Sequence, residues 1–173
     1  PFLIGSGAVL TSAALLLSAT EKTHAETGDS YLVRAYNKAE RGNYFGAIAD
    51  FTKVIKINPN FAEAYYGRGL AKFYLDDHNE AIADFTKAIN LNPKFAEAYY
   101  GRGLTKSMLN DYQGEIADYT NAIKINSKYA DAYYHRGLAK SRLKDYRGEI
   151  ADYTKVIKIN PKDAVAYYNR GLA

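Results

Sequence analysis

From residue 28 onward the apolar positions of this chain recur at helical intervals. In the stretch 62–95, Tyr65, Gly69 and Phe73 mark one stripe, and Ala81, Ile82, Phe85, Ala88 and Ile89 mark a second at spacings of three and four. This predicts two amphipathic helices, with a break at Asp76-Asp77. The equivalent places elsewhere hold Gly42-Asn43, Asn110-Asp111 and Lys144-Asp145. Gly and Asn tolerate the left-handed backbone of a tight turn, and the Asn or Asp that follows can cap the next helix. Glu80, three residues after Asp77, suggests a capping box there. The second helix is expected to end before Asn-Pro at 58–59, 92–93 and 160–161, because proline cannot continue it. Ser127 stands where the other junctions have Pro, which predicts a slightly looser turn.

The pattern is a repeat. Ala62 to Leu70 recurs letter for letter at Ala96 to Leu104, an offset of 34 residues, with close copies at Ala130 to Leu138 and Ala164 to Leu172 and a diverged one at Gly28 to Tyr36. The units are 28–61, 62–95, 96–129 and 130–163, with a partial fifth, 164–173. A helical pair this short cannot bury its own apolar face, so stacking on neighbours is required and the architecture is a solenoid spanning 26–173.

The N-terminal segment has a different character. From Phe2 to Thr20 there is no charge, and the polar stretch after it places Thr23 and Ala25 where a signal peptidase inspects small residues. Residues 1–25 therefore read as an export signal cut before Glu26, its basic start missing from this sequence, and the expected location is periplasmic, luminal or secreted. The alternative is an uncleaved anchor formed by residues 2–20, weakened by its Gly, Ser and Thr content.

Composition narrows the chemistry. The formal charge of +4 is spread at regular intervals rather than clustered, which argues against nucleic acid. There is no cysteine and a single methionine, Met108, so disulfides and thiol catalysis are out of reach. His24, His78 and His135 are far apart in the sequence and form no metal or acid-base set. No cofactor, metal or enzymatic activity is expected.

The repeating residues resemble the tetratricopeptide-repeat family. Its aromatic at unit position 4 matches Tyr31, Tyr65, Tyr99, Tyr133 and Tyr167, its small residue at position 8 matches Ala35, Gly69, Gly103, Gly137 and Gly171, and its aromatic at position 24 matches Phe51, Phe85, Tyr119 and Tyr153. The resemblance implies an all-α, right-handed superhelical solenoid of antiparallel helix pairs and a non-enzymatic scaffold that binds proteins or peptides. Three departures stand out. Position 7, usually Leu, is Arg34, Arg68, Arg102, Arg136 and Arg170; position 11, usually aromatic, is Lys; and position 20, usually Ala, is Glu115 and Glu149 in the last two full units. Because Asp50, Asp84, Asp118 and Asp152 recur with the same period, the arginines are expected to form ion pairs with them. Glu115 and Glu149, each after a glycine, are expected to slide past Gly103 or Gly137 towards that arginine row.

In this family the first helices line the concave face, through positions 2, 5, 9, 12 and 13. The residues expected to bind a partner here are Tyr66, Leu70, Tyr100, Leu104, Tyr134, His135, Leu138 and Tyr168, a tyrosine-leucine strip flanked by the acidic row Asp29, Glu63, Glu97 and Asp131. That charge favours a basic or neutral peptide. The Lys, Asn and Arg set with which some members grip acidic chaperone tails is absent, so such tails should not bind. The second helices carry Lys53, Lys56, Lys87, Lys124, Lys155 and Lys158 on the opposite face, which leaves a structural spacer docked to a membrane or complex through that basic face as the alternative function.

Overall fold

The computed structural model describes residues 27–173, so the expected export signal or anchor lies outside the described residues. Within them the chain folds as helices α1 (Gly28–Glu40), α2 (Tyr44–Ile57), α3 (Ala62–Phe73), α4 (His78–Leu91), α5 (Ala96–Met108), α6 (Tyr112–Ile125), α7 (Ala130–Arg142), α8 (Tyr146–Ile159) and α9 (Ala164–Leu172). Each packs on its partner in the pair and on the next helix along, the nearest-neighbour contact pattern of a solenoid.

The turn inside each pair is made by one residue in the left-handed region: Gly42 (φ 74°), Asp76 (61°), Asn110 (59°) and Lys144 (62°). The next residue caps the second helix in three units. Asn43, Asp111 and Asp145 accept hydrogen bonds from the amides of Gly46, Gly114 and Gly148 at 2.9, 2.9 and 3.0 Å. Asp77 makes no such bond, so the capping box expected from Glu80 does not form. The second unit has Glu80 where the other three have that glycine. Glu80 instead pairs with Lys72 at 3.3 Å.

The turn between units is held by asparagine. Asn58, Asn92, Asn126 and Asn160 leave the helix with extended backbone and accept from the amide two residues on, at 3.0 to 3.3 Å. The junction at Ser127 keeps this bond, so it is as well formed as those with proline.

Phe51, Phe85, Tyr119 and Tyr153 are fully buried and form the centre of successive units, against alanines such as Ala35, Ala64, Ala98 and Ala132. Burying each ring contributes roughly 1.5–3 kcal/mol. The periodic arginines are ion-paired as expected. Arg34, Arg68, Arg102 and Arg136 each donate Nε and Nη2 to both oxygens of Asp50, Asp84, Asp118 and Asp152 in the same unit, at 2.6 to 2.9 Å. The position-11 lysines explain their own departure from the family pattern: Lys38, Lys72, Lys106 and Lys140 reach the same carboxylates at 2.6 to 2.8 Å. Arg68, Arg102 and Arg136 also donate Nη1 to Thr52, Thr86 and Thr120 of the preceding unit, which links the repeats into a ladder. The arginine row thereby holds units together.

Candidate functional site

On the face formed by the first helices, the position-5 tyrosines lie half in the core. The Tyr66 ring is 4.9 Å from Phe95 and 5.9 Å from Phe85; the Tyr100 ring is 5.0 Å from Tyr129, 5.6 Å from Tyr119 and 5.8 Å from His135. Tyr134 packs on His135 and Tyr153 and accepts a hydrogen bond from the Asn169 amide nitrogen at 3.2 Å. Tyr168, in the last helix, is largely exposed. Burial, reinforced by Glu97, raises the Tyr66 hydroxyl to about 12, and burial with Asp131 raises Tyr100 to about 12. The acidic row therefore stands beside the tyrosines. Burial pushes His135 below its ordinary value, with Arg142 adding to the effect and Asp131 opposing it.

The structure brings Tyr100, Leu104 and Tyr134 to one apolar cluster, with His135 in ring contact with both tyrosines, while Tyr66 packs on a separate cluster. Leu70 and Leu138 are half-buried along the same face. Leu70 also lines a feature the sequence did not single out, a cavity of about 360 Å³ between the first and second units. Its aromatic wall is Tyr36, Tyr44, Phe51 and Tyr74, and Ala39, Glu40, Gly67 and Ala71 complete the lining. Tyr44 and Tyr74 stack with centroids 4.9 Å apart and planes 12° apart, and Tyr36 meets Phe51 edge-on at 5.2 Å. Glycine at position 6 lets the Phe51 ring pack directly on the α3 backbone, since a Cβ on Gly67 would come within 2.4 Å of it. Residues at position 13, Glu40, Tyr74, Met108 and Arg142, differ in every unit, so the period alone does not flag them.

Glu115 departs from the sequence expectation. Fully buried, it meets Arg142 of the following unit at 3.6 Å, away from the position-7 arginines, which are already committed to aspartates. Arg142 also donates to Ser107 Oγ at 3.0 Å and lies over the Tyr112 ring at 5.3 Å. Burial raises the Glu115 carboxyl, while Arg142 and Ser107 oppose the rise.

Comparison with known proteins decides the family. Tetratricopeptide-repeat profiles match residues 35–76, 62–95, 85–117 and 130–163. A crystal structure of MamA protein is 34% identical, over 86% of this chain and 81% of that one, with a TM-score of 0.79. The chain belongs to the tetratricopeptide-repeat family. YrrB, described as a tetratricopeptide-repeat protein with an unusual peptide-binding site, shares the fold at 21% identity over 90% of this chain and 80% of that one, with a TM-score of 0.74. The first such domain of Spaghetti, solved with an HSP90 peptide, shares it at 23% identity over 64% of this chain and 88% of that one, with a TM-score of 0.62. No curated protein matches the sequence.

Membership in the tetratricopeptide-repeat family assigns the first-helix face as concave and the chain as a protein-interaction module. Among the described residues no three His, Cys, Asp or Glu side chains are placed to hold a metal, and no helix is long and apolar enough to cross a membrane. Half-buried aromatic rings, an aromatic cavity and nearby carboxylates give this face the chemistry of side-chain recognition.

Proposed function

We propose that the chain binds a peptide or an extended protein segment along its concave face, as an exported scaffold, with basic or neutral ligands preferred. The observation that carries this is the aromatic cavity lined by Tyr36 and Tyr74 beside the acidic row: exposed rings over a buried apolar floor suit hot-spot recognition. Peptide binding by YrrB and by the Spaghetti domain supports the reading at the level of the shared fold. The clamp residues for acidic chaperone tails are missing here, so the peptide carried by the Spaghetti domain is not the expected ligand.

The test is selection of binders from a random peptide library, followed by amide-exchange mapping on the protein. Protection should fall on the first helices around Leu70, Leu104 and Leu138 and persist at high salt, because apolar contacts are weakly screened. Protection on the second helices, lost on adding salt, would transfer function to the exposed basic face of Lys53, Lys87 and Lys155. The exported location is tested separately, by N-terminal sequencing of the mature protein for a start at Glu26.

A further inference from the structure

We propose that the cavity between the first and second units receives an arginine side chain of the bound peptide, its guanidinium lying against Tyr36 and Tyr74 and its charge met by Glu40 and Glu63. This rests on the concave-face reading and names one subsite within it.

The argument comes from the protein's own repeat. Two units along, the residues equivalent to Tyr44, Phe51, Gly67 and Tyr74 are Tyr112, Tyr119, His135 and Arg142. There the equivalent space is occupied from within. The His135 ring stands 5.9 Å from Tyr119, and the Arg142 guanidinium lies over the Tyr112 ring at 5.3 Å. The internal arginine shows what this site accommodates: a planar cation on a tyrosine face, with a carboxylate within reach. In the first site glycine replaces the histidine, and Tyr74, in the arginine's place, stacks on Tyr44 as the Arg142 guanidinium lies over Tyr112. The tyrosine wall remains, and with it the open volume of about 360 Å³.

The charge is supplied differently in the two sites. The internal arginine meets Glu115 at unit position 20, where the first unit has Ala47. At the first site the carboxylates come from the rim. Glu40 lines the cavity and has no ion-pair partner among the described residues, and Glu63 is near enough to reinforce the burial-driven rise of the Tyr36 hydroxyl. The apolar floor of Phe51 and Leu70 suits the methylene stem of arginine, which packs on hydrophobic surface while the head stays polar. A neutral aromatic would fill the volume and leave both carboxylates unused.

Five blocked pentapeptides test this, Gly-Ser-X-Ser-Gly with arginine, citrulline, lysine, phenylalanine or leucine at X, titrated into isotope-labelled protein and followed by NMR. The arginine peptide should move the signals of Tyr36, Tyr44, Gly67 and Tyr74 and bind about five-fold or more tightly than its neutral isostere citrulline, the scale of a partly exposed cation–π and charge contact. Glu40→Gln with Glu63→Gln should narrow the gap between the two peptides, and Tyr74→Ala should weaken the arginine peptide in protein of unchanged helicity. Equal binding of arginine and citrulline, or preference for phenylalanine or leucine, overturns the subsite. If all five peptides move only Leu104 and Leu138, the subsite falls and the concave-face reading stands. If they move only the second helices, both fall.

Discussion

The Arg142 guanidinium stands 3.6 Å from Oε2 of Glu115, so a buried carboxylate in the second helix of one unit is met by a cation from the first helix of the next. This contact accounts for glutamate at a position that the first two units fill with Ala47 and Ala81. The exchange is concerted along the helix. Alanine at that position goes with phenylalanine four residues on, in Ala47–Phe51 and Ala81–Phe85, and glutamate goes with tyrosine, in Glu115–Tyr119 and Glu149–Tyr153. Glu149 Oε2 and the Tyr153 hydroxyl are buried with no hydrogen-bond partner among the described residues.

Removing Arg142 strips Glu115 of its cation. Arg142→Ala should destabilise by about 1–2 kcal/mol, less than for a fully buried pair because the arginine is partly exposed. The pair Glu115→Ala with Tyr119→Phe, which restores the pattern of the first two units, should recover the stability of the wild type or exceed it in the Arg142→Ala background. Urea denaturation followed by circular dichroism reads both, and an unchanged midpoint for Arg142→Ala would show that the contact is energetically idle.

The arginine–aspartate ladder should be far less forgiving. Arg102 holds both oxygens of Asp118, at 2.6 and 2.9 Å, and only 2% of that side chain is exposed. Arg102→Ala leaves the carboxylate with Lys106 alone and should cost about 3 kcal/mol. Arg102→Lys should recover only part of this, since an ammonium cannot span both oxygens and reach Thr86 as well. A melting curve for Arg102→Ala that overlays the wild type would remove the ladder from the account of stability.

Acid should unlock the same ladder. Hydrogen bonds from Arg34, opposed by burial and aided by Lys38, lower Asp50 from its ordinary 3.8 to about 2. A depressed carboxylate contributes stability that is complete above its unfolded value and disappears as pH falls through the folded one. The Asp50 contribution should therefore hold down to about pH 4 and be gone near pH 2. Asp50→Asn should unfold at lower urea than the wild type at pH 7, with the gap closing by pH 2; a constant gap across that range would contradict the assignment.

At the third junction, Ser127→Pro should stabilise by roughly 0.4–1 kcal/mol by restricting the unfolded chain. The backbone of Asn126 (φ −122°, ψ 95°) already matches that of Asn92 before Pro93 (φ −132°, ψ 90°). Thermal melting of the single variant checks this, and a lower melting temperature would mean that the serine amide has a role the turn geometry does not reveal.

The 34-residue period, the helix pairs, the turn positions and the arginine–aspartate pairing were all determined by the sequence alone, because each arises from contacts within a unit or between neighbours and so recurs in the letters. That the position-5 tyrosines fall on the first helices was legible for the same reason. What only the tertiary structure decided is what happens at places where the units differ. The cap at Asp77 is absent, and Glu80 turns to Lys72 instead. Glu115 turns towards Arg142 because the nearer arginines are already satisfied. The cavity beside Tyr36 has Gly67 where, two repeats later, the His135 ring stands. Such features depend on how unlike side chains share one volume across a junction, and a repeat pattern records only what is alike.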